Sequence, residues 1–262
     1  MLSESKIVNY GDELFDCMMS RSMVLPLTDR ESDLSIEDSY QIARRYLKRR
    51  VEDNGESVIG KKIGATSDAV QSMLGVFEPD FGFLTDAMQV SEGDIPIGTL
   101  IQPRAEAEIA FRMGKSLMGP GVTATDVLDA TEAVIPCFEV VDSRIEGWRI
   151  KIQDTIADNA SCGIYVLGSG EVSPTGIDLA ACKVTVTKNG EFLSEGLGSA
   201  VQGSPQAAIA WLANTFGKLG MSLNAGEIVL SGSLVPLEPV VPGDRMIMDI
   251  PGIGTTIANF VE

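Results

Sequence analysis

The stretch Arg104-Ala105-Glu106-Ala107-Glu108-Ile109-Ala110-Phe111-Arg112 alternates polar and apolar side chains. A period of two marks a half-buried strand. Ala107, Ile109 and Phe111 then face a core. Glu106 and Glu108 share the opposite face roughly 6–7 Å apart. At an effective dielectric near 20, two such anions repel by about 2–3 kcal/mol. The acidic side therefore meets water, a cleft or a cation.

More strands lie outward from this one. Val134-Ile135-Pro136-Cys137-Phe138-Glu139-Val140-Val141 is nearly continuous apolar sequence broken by one carboxylate. Lys183 to Lys188, then Asn189-Gly190, then Glu191-Phe192-Leu193 reads as a hairpin with an Asn-Gly turn. Ser204-Pro205 opens a helix through Ile209, Leu212, Ala213 and Phe216, which ends near Gly220. Strands are expected at 227–230, 246–250 and 255–260. Upstream, residues 1–57 read as helical. Ile7, Tyr10, Leu14 and Met18 form one stripe. Ser35 caps a second helix whose stripe is Ile36, Tyr40, Ala43, Leu47 and Val51, and Gly55 stops it. The basic run Arg44, Arg45, Lys48, Arg49, Arg50 is expected on its solvated face. Strands cluster instead of alternating with helices, which predicts an α+β or largely β domain and not a doubly wound sheet. The expected organisation is an N-terminal helical segment, 1–57, packed on a catalytic domain, 58–262, the two acting as one functional unit.

Composition narrows the chemistry. The chain has 262 residues, 37 Asp and Glu against 20 Lys and Arg, and no histidine. A net charge of −17 opposes nucleic acid and anionic lipid. The missing histidine excludes Ser-His-Asp and Cys-His catalysis, His-ligated zinc and a His base. Four cysteines without a CxxC pair read as reduced, buried thiols. The N-terminus lacks the apolar centre of a signal peptide, and no apolar run approaches ~20 residues, so a soluble cytoplasmic protein is expected.

Several motifs carry chemistry. Glu139 sits among apolar neighbours that predict burial, so it needs a partner. That partner is either Arg144 or a cation shared with Glu106 and Glu108. Three carboxylates without His or Cys suit Mg²⁺ or Mn²⁺. Lys61-Lys62 lies in a strand otherwise rich in apolar residues and glycine. Pro79-Asp80-Phe81-Gly82 is a turn, with Asp80 either a turn-forming residue or a presented carboxylate. Asp158-Asn159-Ala160-Ser161 is polar and turn-like, and Ser231-Gly232-Ser233 can offer hydroxyls or N–H groups to an anion. Gly55 to Lys62 approximates a phosphate-binding loop but lacks the Ser or Thr that would hold magnesium, and a helix precedes it. Asp80-Phe81-Gly82 has no companion kinase motif.

Together, Gly60-Lys61-Lys62-Ile63-Gly64-Ala65-Thr66-Ser67, Pro79-Asp80-Phe81-Gly82, Gln102-Pro103-Arg104-Ala105-Glu106-Ala107-Glu108, Ile135 to Arg144, Ala157 to Ser161 and Ser231 to Glu238 resemble the 2-oxopent-4-enoate (vinylpyruvate) hydratases of meta-cleavage aromatic degradation, within the fumarylacetoacetate hydrolase superfamily. The resemblance runs over essentially the whole chain. It implies a mixed β-roll with peripheral helices, assembled as a homo-oligomer. It implies Mg²⁺ or Mn²⁺ on Glu106, Glu108 and Glu139, catalytic roles for Lys62 and Asp80, and substrate contacts at Ser161, with Ser233 expected beside it. The implied reaction adds water to 2-hydroxypenta-2,4-dienoate, giving 4-hydroxy-2-oxopentanoate. Sibling 4-oxalocrotonate decarboxylases share the carboxylates and pair with the hydratase, so a decarboxylase is the alternative and a catalytically silent partner subunit a third reading. Superfamily hydrolases commonly use a His-containing dyad, and this chain has none.

Overall fold

Local signals explain where the helices start and stop. Ser3 caps α1 (Glu4–Ser20) by accepting from the Lys6 N–H. Ser35 and Asp38 form a reciprocal capping box on α3 (Ile36–Asn54), and Gly55 ends it at φ +72°. Ser204 caps α7 (Pro205–Lys218), with Pro205 in its first turn. The remaining helices are α2 (Leu27–Arg30), α4 (Asp68–Leu74), α5 (Ala124–Ala130) and α6 (Ile152–Ala157). The last three fall in the region that reads only as strands and turns. Each is six or seven residues long, too short for a 3.6-residue period to register.

The strands of this computed structural model, which describes residues 1–262, form two sheets. They are β1 (Val58–Gly64), β2 (Asp80–Thr85), β3 (Gln89–Val90), β4 (Gly93–Pro96), β5 (Arg104–Met113), β6 (Thr131–Val141), β7 (Ile164–Leu167), β8 (Lys183–Lys188), β9 (Glu191–Leu197), β10 (Ile228–Leu230), β11 (Glu238–Pro239), β12 (Arg245–Ile250) and β13 (Gly254–Val261). The larger sheet runs β2-β1-β10-β5-β6-β7-β3, with β11 on β5, and the smaller runs β4-β13-β12-β8-β9. Both are mixed: β1 with β10, β3 with β7 and β13 with β4 are parallel, and the other pairs antiparallel. The fold is the mixed α+β roll that the sequence predicts, and the Asn189-Gly190 hairpin forms as expected.

A large apolar core draws on the inner faces of both sheets and on α7, including Ala107, Ile109, Phe111, Val186, Met248 and Phe216. A second core joins α1 and α3 through Tyr10, Leu14, Ile42 and Tyr46, and extends to Ile145 and Ala157 near the site. Here two readings change. The buried face of α3 is Ser39, Ile42, Ala43, Tyr46 and Arg50, rotated from the expected stripe. Leu47 and Tyr40 are only half-buried, and Val51 is exposed. The basic run is not a purely solvated face. Arg50 is buried and pairs with Glu56 at 2.7 Å, while Arg45 and Arg49 clamp Asp12 of α1. The arginine pairs with Asp12 and Glu56 accompany this rotation and are a term that hydrophobic periodicity does not contain. All four cysteines are free and buried. No helix is long and apolar enough to cross a membrane.

Candidate metal and substrate site

Register brings the carboxylates together. Glu106 on β5 lies directly opposite Glu139 on β6, and Glu108 is opposite Cys137. Like charges facing across an antiparallel pair destabilise it unless a counter-charge intervenes. The carboxylate oxygens of Glu106, Glu108 and Glu139 lie within 4.8 Å of one another, and all three residues are buried. The Gly232 N–H donates to Glu108 Oε2 at 2.8 Å. Glu108 Oε1 and Glu139 Oε2 are buried without a hydrogen-bond donor, and Glu139 Oε1 has only the Lys62 ammonium near it. Unsatisfied buried carboxylate oxygens are costly. Three converging oxygen donors, with no softer ligand, fit a hard divalent cation. The expected convergence of this trio therefore holds in geometry.

Arg144 is not the partner of Glu139. Its Nε donates to Asp158 Oδ1 at 2.5 Å, its backbone N–H to Asp158 Oδ2 at 2.9 Å, and its other nitrogens to the carbonyls of Cys162 and Asp158. Glu139 instead faces Lys62, whose Nζ is 3.2 Å from its Oε1. Lys62 and Asp80 meet because β1 and β2 are antiparallel, with Lys62 opposite Gly82 and Gly64 opposite Asp80. Gly64 leaves the room that Asp80 uses: a Cβ there would stand 2.2 Å from Asp80 Oδ1. Asp80 is the first residue of β2, not a solvated turn, and its Oδ2 accepts from Thr155 Oγ1 at 2.9 Å.

Burial and mutual repulsion tune these groups. Burial, then the Glu139 charge, pushes Glu106 up to about 8, although Lys62 pulls the other way. Burial also raises Glu108 well above the usual carboxylate range, with Glu139 and Glu106 adding to it. Glu139 and Asp80 are raised, chiefly by burial, with Lys62 opposing in both. For Lys62, burial acts to lower the pKa, but Glu139, Glu106 and Asp80 outweigh it, and the net shift is upward. The lysine is held as an ammonium.

A cleft adjoins the carboxylate trio, lined by the polar side chains of Lys62, Asp80, Glu106, Thr155 and Ser161 and by the apolar side chains of Val70, Leu74, Val76, Val141, Trp148 and Leu237. The cleft is narrow, with a cavity volume of about 20 Å³. The Ser161 hydroxyl is buried and unpartnered. It belongs to a turn in which Asn159, Ala160 and Ser161 all have positive φ, between 53° and 54°. Three consecutive non-glycine residues there are held by surroundings, not by preference. Asn159 supplies the hold, its side chain accepting from the Phe83 N–H and donating to the Phe83 carbonyl.

Ser233 stands apart. Its hydroxyl donates to the Val235 carbonyl at 2.7 Å, and it does not line the cleft. The anion that the 231–233 loop serves is the chain's own Glu108, through Gly232. Thr155 escapes the sequence reading, and Gly64 and Asn159 enter it only as members of motifs without a role of their own, because a lone threonine, glycine or asparagine has no spacing to betray it. A polar turn at 158–161 was the one available signal.

The family described as fumarylacetoacetate (FAA) hydrolase C-terminal matches residues 67–261. The chain belongs to the fumarylacetoacetate hydrolase family. Its similarity to particular members is high. It is 52% identical to a 2-hydroxyhexa-2,4-dienoate hydratase of Comamonas testosteroni, over all of both chains. It is 59% identical to a 2-hydroxypent-2,4-dienoate hydratase of Pseudomonas putida, over 84% of this chain and all of that one. Among solved structures of the family, it is similar to 4-oxalocrotonate decarboxylase from Pseudomonas putida G7, complexed with magnesium and adipate. There the TM-score is 0.94 at 32% identity, over 100% of this chain and 99% of that one.

Proposed function

We infer that this protein is a hydratase that adds water to 2-hydroxypenta-2,4-dienoate and releases 4-hydroxy-2-oxopentanoate, a step in meta-cleavage breakdown of aromatic compounds. The observation that carries this reading is a buried trio of converging carboxylates, one of which, Glu106, lines a cleft together with Lys62 and Asp80, in a chain with no histidine. The hydratase relatives at 52% and 59% identity favour hydration over the decarboxylation named for the structure at 32%.

Glu106, Glu108 and Glu139 would hold a divalent cation, Mg²⁺ or Mn²⁺. When bound, that ion supplies a Lewis acid for the negative charge that the substrate's 2-oxygen acquires. Lys62, held as ammonium, adds a fixed positive charge beside the same oxygen. Asp80 carries the proton. Burial favours its protonated form, which delivers a proton to C5 as the 2-OH proton leaves to solvent. The resulting carboxylate takes a proton from the water that adds at C4. C3 is then protonated from solvent, and Asp80 is left protonated for the next cycle. Thr155 fixes the Asp80 rotamer, and Ser161 offers its free hydroxyl to the substrate.

Residues 1–57 and 58–262 act as one functional unit in this reading, since the second core reaches from α1 and α3 to Ala157 behind the site. The working form is a cytoplasmic homo-oligomer, able to associate with a sibling decarboxylase. The alternative activity, decarboxylation of 4-oxalocrotonate, draws on the 0.94 TM-score. One assay separates the two. Pure protein with Mg²⁺ and freshly generated 2-hydroxypenta-2,4-dienoate should bleach the diene absorbance and yield 4-hydroxy-2-oxopentanoate. Carbon dioxide from 4-oxalocrotonate with no loss of diene would replace the hydratase with the decarboxylase.

A further inference from the structure

Arg104 stands out among the arginines. Arg45, Arg49, Arg50 and Arg144 are all matched to carboxylates. Arg104 is half-buried, and its guanidinium makes no ion pair or hydrogen bond with a carboxylate. In a chain with 37 acidic and 20 basic side chains, a partly buried guanidinium without an acidic partner is unexpected.

Its position gives it a use. Arg104 shares a face of β5 with Glu106 and Glu108, one strand repeat outward from Glu106. Its Cζ lies 4.7 Å over the ring of Trp148, which lines the cleft. The ring is fixed by its Nε1–H, which donates to the Gln102 carbonyl at 3.1 Å. Val141, opposite Arg104 in the ladder, lines the cleft as well. A guanidinium stacked by its face keeps its in-plane N–H donors free for a carboxylate. Deeper in, with Asp80 protonated, the three carboxylates balance Lys62 and the divalent cation they would hold, so no net positive charge is left to draw an anion in, and the protein surface is anionic. An anionic substrate needs a positive group before it reaches the trio.

We propose that Arg104 captures the carboxylate of the incoming substrate at the mouth of the cleft. This rests on the hydratase reading for the identity of the substrate, a small 2-oxo or 2-hydroxy monocarboxylate. The test uses full-length, Mg²⁺-loaded protein and two non-reacting probes, 2-oxopentanoate and its neutral amide, followed by tryptophan fluorescence. Wild type should prefer the acid. In Arg104→Gln that preference should fall by about tenfold to a hundredfold, the range for a hydrogen-bonded charge. With dienoate, the loss should appear in KM and not in kcat, and the decline of kcat/KM with added salt should flatten. Arg104→Lys should restore the salt dependence but only part of the acid preference. An unchanged acid-to-amide ratio and salt dependence in Arg104→Gln would overturn the proposal. If that variant fails to melt cooperatively, Arg104→Lys decides, and an undiminished preference there overturns it equally. The binding arm needs no turnover, so wild type that ignores dienoate sinks the hydratase reading and leaves the Arg104 result standing.

Discussion

Asp80 shows how one residue acquires a role from its surroundings. In sequence it is an aspartate after a proline. In the fold it is buried beside Lys62, fixed by Thr155 and accommodated by Gly64. Asp80→Asn keeps the shape and the Thr155 contact but removes the proton carrier. We expect kcat to fall by about 10² to 10⁴, the usual span for a general acid–base group, with an unchanged circular dichroism spectrum. Near-normal turnover would reduce Asp80 to a structural role. Gly64→Ala approaches the same atom from the other side. The added methyl meets Asp80 Oδ1, so activity should drop with a stability loss of about 1–3 kcal/mol in urea titration. Wild-type kcat in Gly64→Ala would show that Asp80 needs no exact placement.

Helix α3 carries the lesson at the scale of elements. Its ends are legible in sequence, because a cap depends on residues three or four positions apart. Its rotation is not, because the pairs that accompany it reach Asp12 and Glu56, partners on other segments. The basic run therefore divides into unequal parts. Arg50→Ala leaves the buried Glu56 without a counter-charge, with only the neutral donors Thr85 Oγ1 at 2.5 Å and Asn54 Nδ2 at 3.2 Å remaining, and should cost about 3–5 kcal/mol. Arg45→Ala breaks a half-exposed pair and should cost about 1 kcal/mol or less. Denaturant midpoints of the two variants test the division, and equal losses would restore the solvated-face picture. Strand β5 was more transparent. Its alternation announced both a core face and an acidic face, and the structure keeps that division but buries both faces, Glu106 and Glu108 included, where the sequence predicts a half-buried strand.

At the scale of the whole molecule, the carboxylate trio links stability to pH and to metal. Glu106 has a folded pKa of about 8, above its unfolded value. Its contribution to stability is complete below the unfolded value and is lost as pH rises through 8. Metal-free protein should therefore melt at a lower temperature at pH 9 than at pH 6. A cation that binds the ionised trio reverses this, so Mg²⁺ should raise Tm more at pH 9 than at pH 6. A metal-induced shift independent of pH would argue that these three groups do not hold the ion. Chelation should likewise abolish dienoate hydration, and Mg²⁺ or Mn²⁺ should restore it.

The sequence by itself determined what acts over short distances along the chain. Helix caps, the Asn189-Gly190 hairpin and the two-residue period of β5 follow from neighbouring side chains. The lack of histidine, a matter of composition alone, already directed the acid–base chemistry to carboxylates and lysine. Only the tertiary structure decided the pairings. Glu139 meets Glu106 from 33 positions away and Lys62 from 77, Arg144 turns to Asp158, and Ser233 spends its hydroxyl on Val235. Strand register and packing choose among chemically equivalent partners, and that choice is settled by contacts between segments that no local pattern records.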